Sequence, residues 1–167
     1  MDGRCALAGR VALVTGAGRG LGVAIAAALA DAGAAVACAA RAPEAGETTA
    51  REIRERGGTA MVVALDVTRA EQVSAAVAAT ERALGPVDVL VNNVGVTLDK
   101  ATVEVTDAEW EGLLATNLTS MFRLARAVAP AMIARGRGKI VNVGSMYGVL
   151  GVARYAATAR ARPASTG

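Results

Sequence analysis

The chain has 167 residues, 53% of them hydrophobic, enough to bury one sizeable core and too apolar for a disordered polymer. Its formal charge is +3, and removing Arg160 and Arg162 from that total leaves +1, so the body carries no basic stripe for nucleic acid. An aromatic content of 2% offers no stacking platform for bases, and two cysteines, Cys5 and Cys38, are too few and too scattered for a disulfide framework or a metal site.

The opening "MDGRCALAGR" lacks the apolar run of a signal peptide. From residue 10 onward, short β-branched runs alternate with helical stretches. "RVALVTG" reads as a first strand and 21–32 as a helix with Leu21, Ile25 and Leu29 on one apolar face. "AAVACAA" is a second strand, followed by a helix over 44–56, and "TAMVVALDV" is a third. The helix over 69–84 opens with Thr68 and Glu71 at capping-box spacing. After the fourth strand, "VDVLVNN", a second capping box at Thr106 and Glu109 opens a strongly amphipathic helix. Its Trp110, Leu113, Leu114, Leu118, Met121, Leu124, Ala125 and Val128 share one face. "KIVNVGS", 139–145, reads as a fifth strand. The uncharged run over 140–153 contains Asn142 and three glycines, so it does not read as a membrane span, and a soluble cytoplasmic protein is expected. The alternation predicts βαβ units and a parallel sheet whose strands are covered on both faces. Beyond Tyr155 the apolar periodicity collapses into Ala, Arg, Pro, Ser, Thr and Gly.

Between the first strand and the first helix, "VTGAGRGLG" places Gly16, Gly18, Gly20 and Gly22 where free backbone N–H groups and a helix dipole favour an anion such as a dinucleotide pyrophosphate. Taken alone, the cluster fits either that ligand or a tight strand-to-helix turn. The second strand ends "ACAAR", with Ala40 where an acid would bind the ribose of NAD. Arg41, and Arg19 in the glycine turn, suit the 2′-phosphate of NADP or are solvated loop charges. Asn117 lies inside an apolar helix face, where an amide is costly without a partner. Ser145 ends a strand at the carboxyl edge of the sheet, where open α/β folds bind ligands.

Five motifs in order resemble the short-chain dehydrogenase/reductase family. They are T-G-x-x-x-G-x-G as Thr15, Gly16, Gly20 and Gly22, with Gly18, Arg19 and Leu21 between them; "ALDV" with Asp66 and Val67; "NNVG" with Asn93 and Gly95; "TNL" with Asn117; and "NVGS" with Ser145. Val94 replaces the alanine usual in the third motif. The resemblance implies a Rossmann-like doubly wound sheet with strand order 3-2-1-4-5, incomplete at five strands. It also implies adenine contacts from Asp66 and Val67, a cofactor held by the glycine turn, Arg41, Asn93 and Gly95, and proton transfer by Tyr155 with Ser145 and Asn117 in support.

The family's Y-x-x-x-K is broken here, because Ala159 stands at the lysine's place. Arg160, one residue later, is turned about 100° away on a helix, and only ten residues separate Ser145 from Tyr155, a shorter gap than usual. The expected division is a dinucleotide-binding domain over 1–154 and an aberrant tail over 155–167, as in an N-terminal fragment or a frameshifted product. The expected function is NADP-dependent hydride transfer to a ketone or from an alcohol, NAD being the less suited cofactor. "GVTLDKATVEVTDAEWEGLLATNL" looks most like the 3-oxoacyl carrier-protein reductase branch. Absence of the lysine implies weak or no turnover, leaving as alternatives an inactive nucleotide-binding remnant and an interaction module without cofactor. Family members usually form dimers or tetramers.

Overall fold

The computed structural model describes residues 6–161, apart from the side chain of Arg160; Cys5 and Arg162 lie outside the described residues. Five strands form one sheet: β1 (Val11–Thr15), β2 (Ala35–Ala40), β3 (Ala60–Ala64), β4 (Val89–Asn92) and β5 (Lys139–Asn142). All neighbours are parallel and the spatial order is β3-β2-β1-β4-β5, as expected. The helices are α1 (Leu21–Asp31), α2 (Pro43–Glu55), α3 (Ala70–Leu84), α4 (Asp107–Leu114), α5 (Ser120–Ala134) and α6 (Ala156–Ala161).

Strand side chains alternate between two cores. Ala12 and Val14 of β1 join Val36, Cys38, Ala26 and Ile53 on the side of α1 and α2. Leu13 joins Ala37, Val63, Val77, Leu124 and Val128 on the side of α3 and α5. This is the doubly wound arrangement that βαβ units with right-handed crossovers produce. The strand order reverses at β1, so the carboxyl ends of β1 and β4 mark the switch point at which open α/β sheets bind ligands.

Four expectations are corrected. Cover on both faces fails at β5, whose residues are all exposed, Ile140 and Val141 by 38% and 48%. As the outer strand it is flanked by β4 alone, and periodicity cannot reveal whether anything covers an edge. The Thr68–Glu71 capping box does not form: α3 starts after Arg69, and the Thr68 hydroxyl donates to Asp66 Oδ1 at 2.7 Å. Leu21 stands 68% exposed in the first turn of α1, while Gly22 and Ala26 form the buried face. The amphipathic helix is interrupted by a π-helical turn over Ala115–Thr119. The extra residue in that turn rotates the parts on either side against each other. Trp110 and Leu118 are left exposed, and the buried stripe becomes Leu113, Asn117, Ser120, Leu124 and Val128. The Thr106–Glu109 capping box is present as read.

Residues 156–161, the described part of the segment after Tyr155, also differ from its expected lack of pattern. Ala157, Thr158 and Ala161 are buried on one side of α6, and the two alanines pack with Leu113 and, in part, Leu98 and Leu114. Alanines at i and i+4 give a narrow face whose small side chains permit close approach to α4. No described helix is long and apolar enough to cross a membrane.

Candidate nucleotide and proton-transfer site

The turn after β1 is built for close backbone approach. A Cβ at Gly22 would lie 2.0 Å from the Gly16 carbonyl oxygen, so any side chain there would force the turn apart from the first turn of α1. Gly20, the residue before α1, has φ 55° and ψ −132°, and a Cβ there would meet nothing within 4 Å. Gly16 packs toward Asn93 and Val94, and Gly18 toward Ala45 of α2. The N-terminus of α1 has no side-chain cap and no acid in its first turn. Its first-turn N–H groups therefore have no side-chain partner and the dipole no neutralising acid, the condition under which a helix start takes a phosphate. The uncapped end, reached past a residue without a side chain, fits a dinucleotide pyrophosphate.

Thr15 and Asn93 join the loops after β1 and β4. The buried Thr15 hydroxyl donates to the Val91 carbonyl at 3.2 Å and accepts from the N–H of Asn93 at 3.0 Å and of Val94 at 3.3 Å. The Asn93 amide donates to the Thr15 carbonyl at 3.0 Å. Both side chains thus hold main chain, and what they give a ligand comes through the backbone they position. Gly95 follows, half-buried.

Around the rim, Arg19 and Arg41 are exposed, at the glycine turn and the end of β2. Asp66 follows β3, and Thr68 holds its carboxyl below the usual range through a side-chain and a backbone hydrogen bond at 2.7 and 2.9 Å. Asp66 is therefore a fixed anion. Val67 is buried in the core, so only its main chain is available to a ligand.

Asn117 is fully buried in the π turn, and both ends of its amide bind one residue: Oδ1 accepts from the Val96 N–H and Nδ2 donates to the Val96 carbonyl, each at 2.8 Å. The loop after β4 is thereby fastened to the helix. Ser145 Oγ accepts from the Tyr147 N–H at 3.2 Å, starting a single 3-10 turn, and the Tyr147 and Tyr155 rings stack with centroids 4.5 Å apart. Ser145 and Tyr155 are thus linked through Tyr147. The Tyr155 carbonyl accepts from the Ala159 N–H at 2.9 Å, placing Ala159 one helical turn on. The Asp99 carboxylate beside Tyr155 is the foremost influence on its phenol, followed by desolvation and Tyr147, and together they hold it above the usual tyrosine range.

Tyr147, Asp99, Arg154 and Thr158 went unread in the sequence. Asp99 meets Arg154 across 55 residues, and Leu98 donates to Thr158 Oγ1 across 60. Contacts at such separations leave no local signal, although the pair Tyr147 and Tyr155 could have been noticed as the chain's only tyrosines.

The 3-oxoacyl-[acyl-carrier-protein] reductase FabG of Vibrio cholerae is 42% identical to this chain over 156 residues, 93% of this chain and 63% of that protein. The chain thus spans less than two thirds of that relative's length. A metagenomic short-chain oxidoreductase solved in complex with NADP superposes with a TM-score of 0.89 at 42% identity, covering 94% of this chain and 72% of that one. The gluconate 5-dehydrogenase of Burkholderia cenocepacia J2315, solved with NADP and tartrate, gives 0.89 at 39% identity, covering 96% and 63%. The family model described as short chain dehydrogenase matches residues 10–162, from just before β1 to just past α6. Because that match takes in the sheet, the glycine turn and the segment from Ser145 to Tyr155 together, the chain belongs to the short-chain dehydrogenase family.

Proposed function

We propose that this chain binds NADP and descends from an oxidoreductase that moves a hydride between NADPH and a ketone or the corresponding alcohol. The observation that carries this reading is the start of α1, uncapped, free of acids and reached past Gly20, where a dinucleotide phosphate fits. Exposed Arg19 and Arg41, with Ala40 in place of an acid at the end of β2, favour the 2′-phosphate of NADP over the ribose of NAD. The NADP complexes of the two similar oxidoreductases support the same choice. When bound, the nicotinamide would supply or receive the hydride.

In this reading the proton moves at the Tyr155 phenol, Ser145 hydrogen-bonds the reacting oxygen, and Asn117 holds the loop that borders them. An ordinary tyrosine is about one in a thousand ionised at neutral pH, a handicap of roughly 4 kcal/mol for a base. With Asp99 raising the phenol further and no lysine at Ala159, removal of an alcohol proton is the more disfavoured direction. Donation to a carbonyl is the less impaired one, since the acid form is already populated. A 3-oxoacyl thioester is the favoured carbonyl, supported by the reductase from Vibrio cholerae.

Calorimetric titration with NADPH is expected to show binding, and its consumption with an acetoacetyl thioester to be slow or absent. Absence of binding would remove the cofactor reading and leave the interaction module. Fast turnover abolished by Tyr155→Phe would overturn the impairment.

A further inference from the structure

Arg154 is the one non-glycine residue with positive φ, at 69°, among those described. An arginine in the left-handed region is strained and persists only where its surroundings hold it. Here the surroundings are the loop after β4. Arg154 Nε donates to Asp99 Oδ1 at 2.6 Å, Nη2 reaches the Asp99 carbonyl at 3.4 Å, and the Lys100 N–H donates to the Arg154 carbonyl at 3.0 Å. One residue on, Tyr155 stacks on Tyr147, and the Leu98 N–H donates to Thr158 Oγ1 at 3.0 Å. The loop is anchored on its other side through Lys100 Nζ to Glu109 at 2.8 Å and through Val96 to Asn117.

We propose that Asp99 and Arg154 are positioning residues, forming a clamp that fastens the loop after β4 onto the segment carrying Tyr155 and sets where the phenol stands. The inference rests on the reading of Tyr155 as the proton-transfer residue only for its consequence in catalysis; the clamp itself has a separate readout. The charged and titratable groups acting on the phenol are Asp99, Tyr147 and Arg154, of which Asp99 is the strongest and Arg154 alone acts to lower it.

That opposition gives a test with two signs. In a Tyr147→Phe background Tyr155 is the chain's sole tyrosine, and its ionisation can be followed by ultraviolet difference absorbance. Arg154→Gly keeps the backbone conformation accessible, because glycine takes positive φ freely, and removes only the cation's side chain. With rigid geometry, loss of a neighbouring cation raises the tyrosine midpoint. With a clamp, Asp99 is released and the midpoint falls. We expect the fall, a similar fall in Asp99→Asn, and a midpoint near the parent's in Arg154→Lys. A rise in Arg154→Gly, or no movement in Asp99→Asn while circular dichroism shows the fold retained, overturns the clamp. Should Asp99→Asn fail to fold, the sign in Arg154→Gly decides alone. Turnover of the parent and of Tyr155→Phe is scored separately, so failure of the clamp and failure of the catalytic reading are distinguishable.

Discussion

Replacing Gly22 by alanine adds a single methyl group, and the structure states what that methyl meets. Its carbon would stand 2.0 Å from the Gly16 oxygen, 2.7 Å from the Gly16 carbonyl carbon and 2.8 Å from Asn93 Nδ2. Ordinary carbon contacts begin near ~3.5 Å, so the overlap exceeds an ångström, and two of the three atoms are backbone that cannot rotate away. Overpacking in a close-packed region costs about 1–3 kcal/mol, and this geometry belongs at the upper end. For a chain of this size, each kcal/mol moves the melting temperature by about 2–4 °C, so Gly22→Ala should melt roughly 6–12 °C below the parent. Relief of the clash must open the turn against α1, so NADPH binding should fall with it. Gly112 supplies the control: it lies in α4, an added Cβ meets nothing within 4 Å, and alanine there should stabilise by about 0.5–1 kcal/mol. Thermal melts by circular dichroism with parallel calorimetric titrations would measure both. A Gly22→Ala chain melting within about 2 °C of the parent would refute the close-approach argument.

Asn117→Ala removes both hydrogen bonds to Val96 and leaves its N–H and carbonyl to find other partners, at about 1–3 kcal/mol for each that stays buried and unsatisfied. Urea titration should show an earlier midpoint with an unchanged slope, and an equal midpoint would count against the amide bridge. Glu109 is held down to about 2 from an ordinary 4.5 by its hydrogen bond to Lys100 and by Thr106. Its folded value is the depressed one, so its stabilisation is present above pH 4.5 and fades as pH falls toward 2. Glu109→Gln should flatten the acid limb of melting temperature against pH in that window, and an unchanged limb would dismiss the assignment. The Cys38 thiol is buried and pushed up to about 11 by desolvation, so in a Cys5→Ser chain a thiol reagent should react only on unfolding, whereas rapid reaction of the folded chain would contradict its burial.

Strand and helix positions were legible in the sequence because their signals are local. The runs "VALVT" and "AVACAA" name β1 and β2 without reference to anything distant, and Thr106 with Glu109 announces α4 from within one helical turn. Strand order was legible only through the resemblance carried by the glycine turn, "NNVG" and "NVGS". Asn117 stood out because an amide on an apolar face demands a partner, but that the partner is Val96 depended on how the loop after β4 lies.

The sequence by itself determined the βαβ alternation, the glycines that the turn needs, and an alanine four residues after Tyr155. Tertiary structure decided the rest. Thr68 had two uses open to it, capping α3 or binding Asp66, and the turn after β3 selected the second. Leu21 and Leu118 fit apolar stripes by count but face outward, because glycine and alanine faces and a π turn set which sides α1 and the α4–α5 helix bury. The Asp99 carboxylate that does most to raise the Tyr155 phenol lies far from it in the chain. Periodicity records which side of an element is apolar; which side finds a neighbour, and which charge stands beside a phenol, depends on chain segments brought together only by folding.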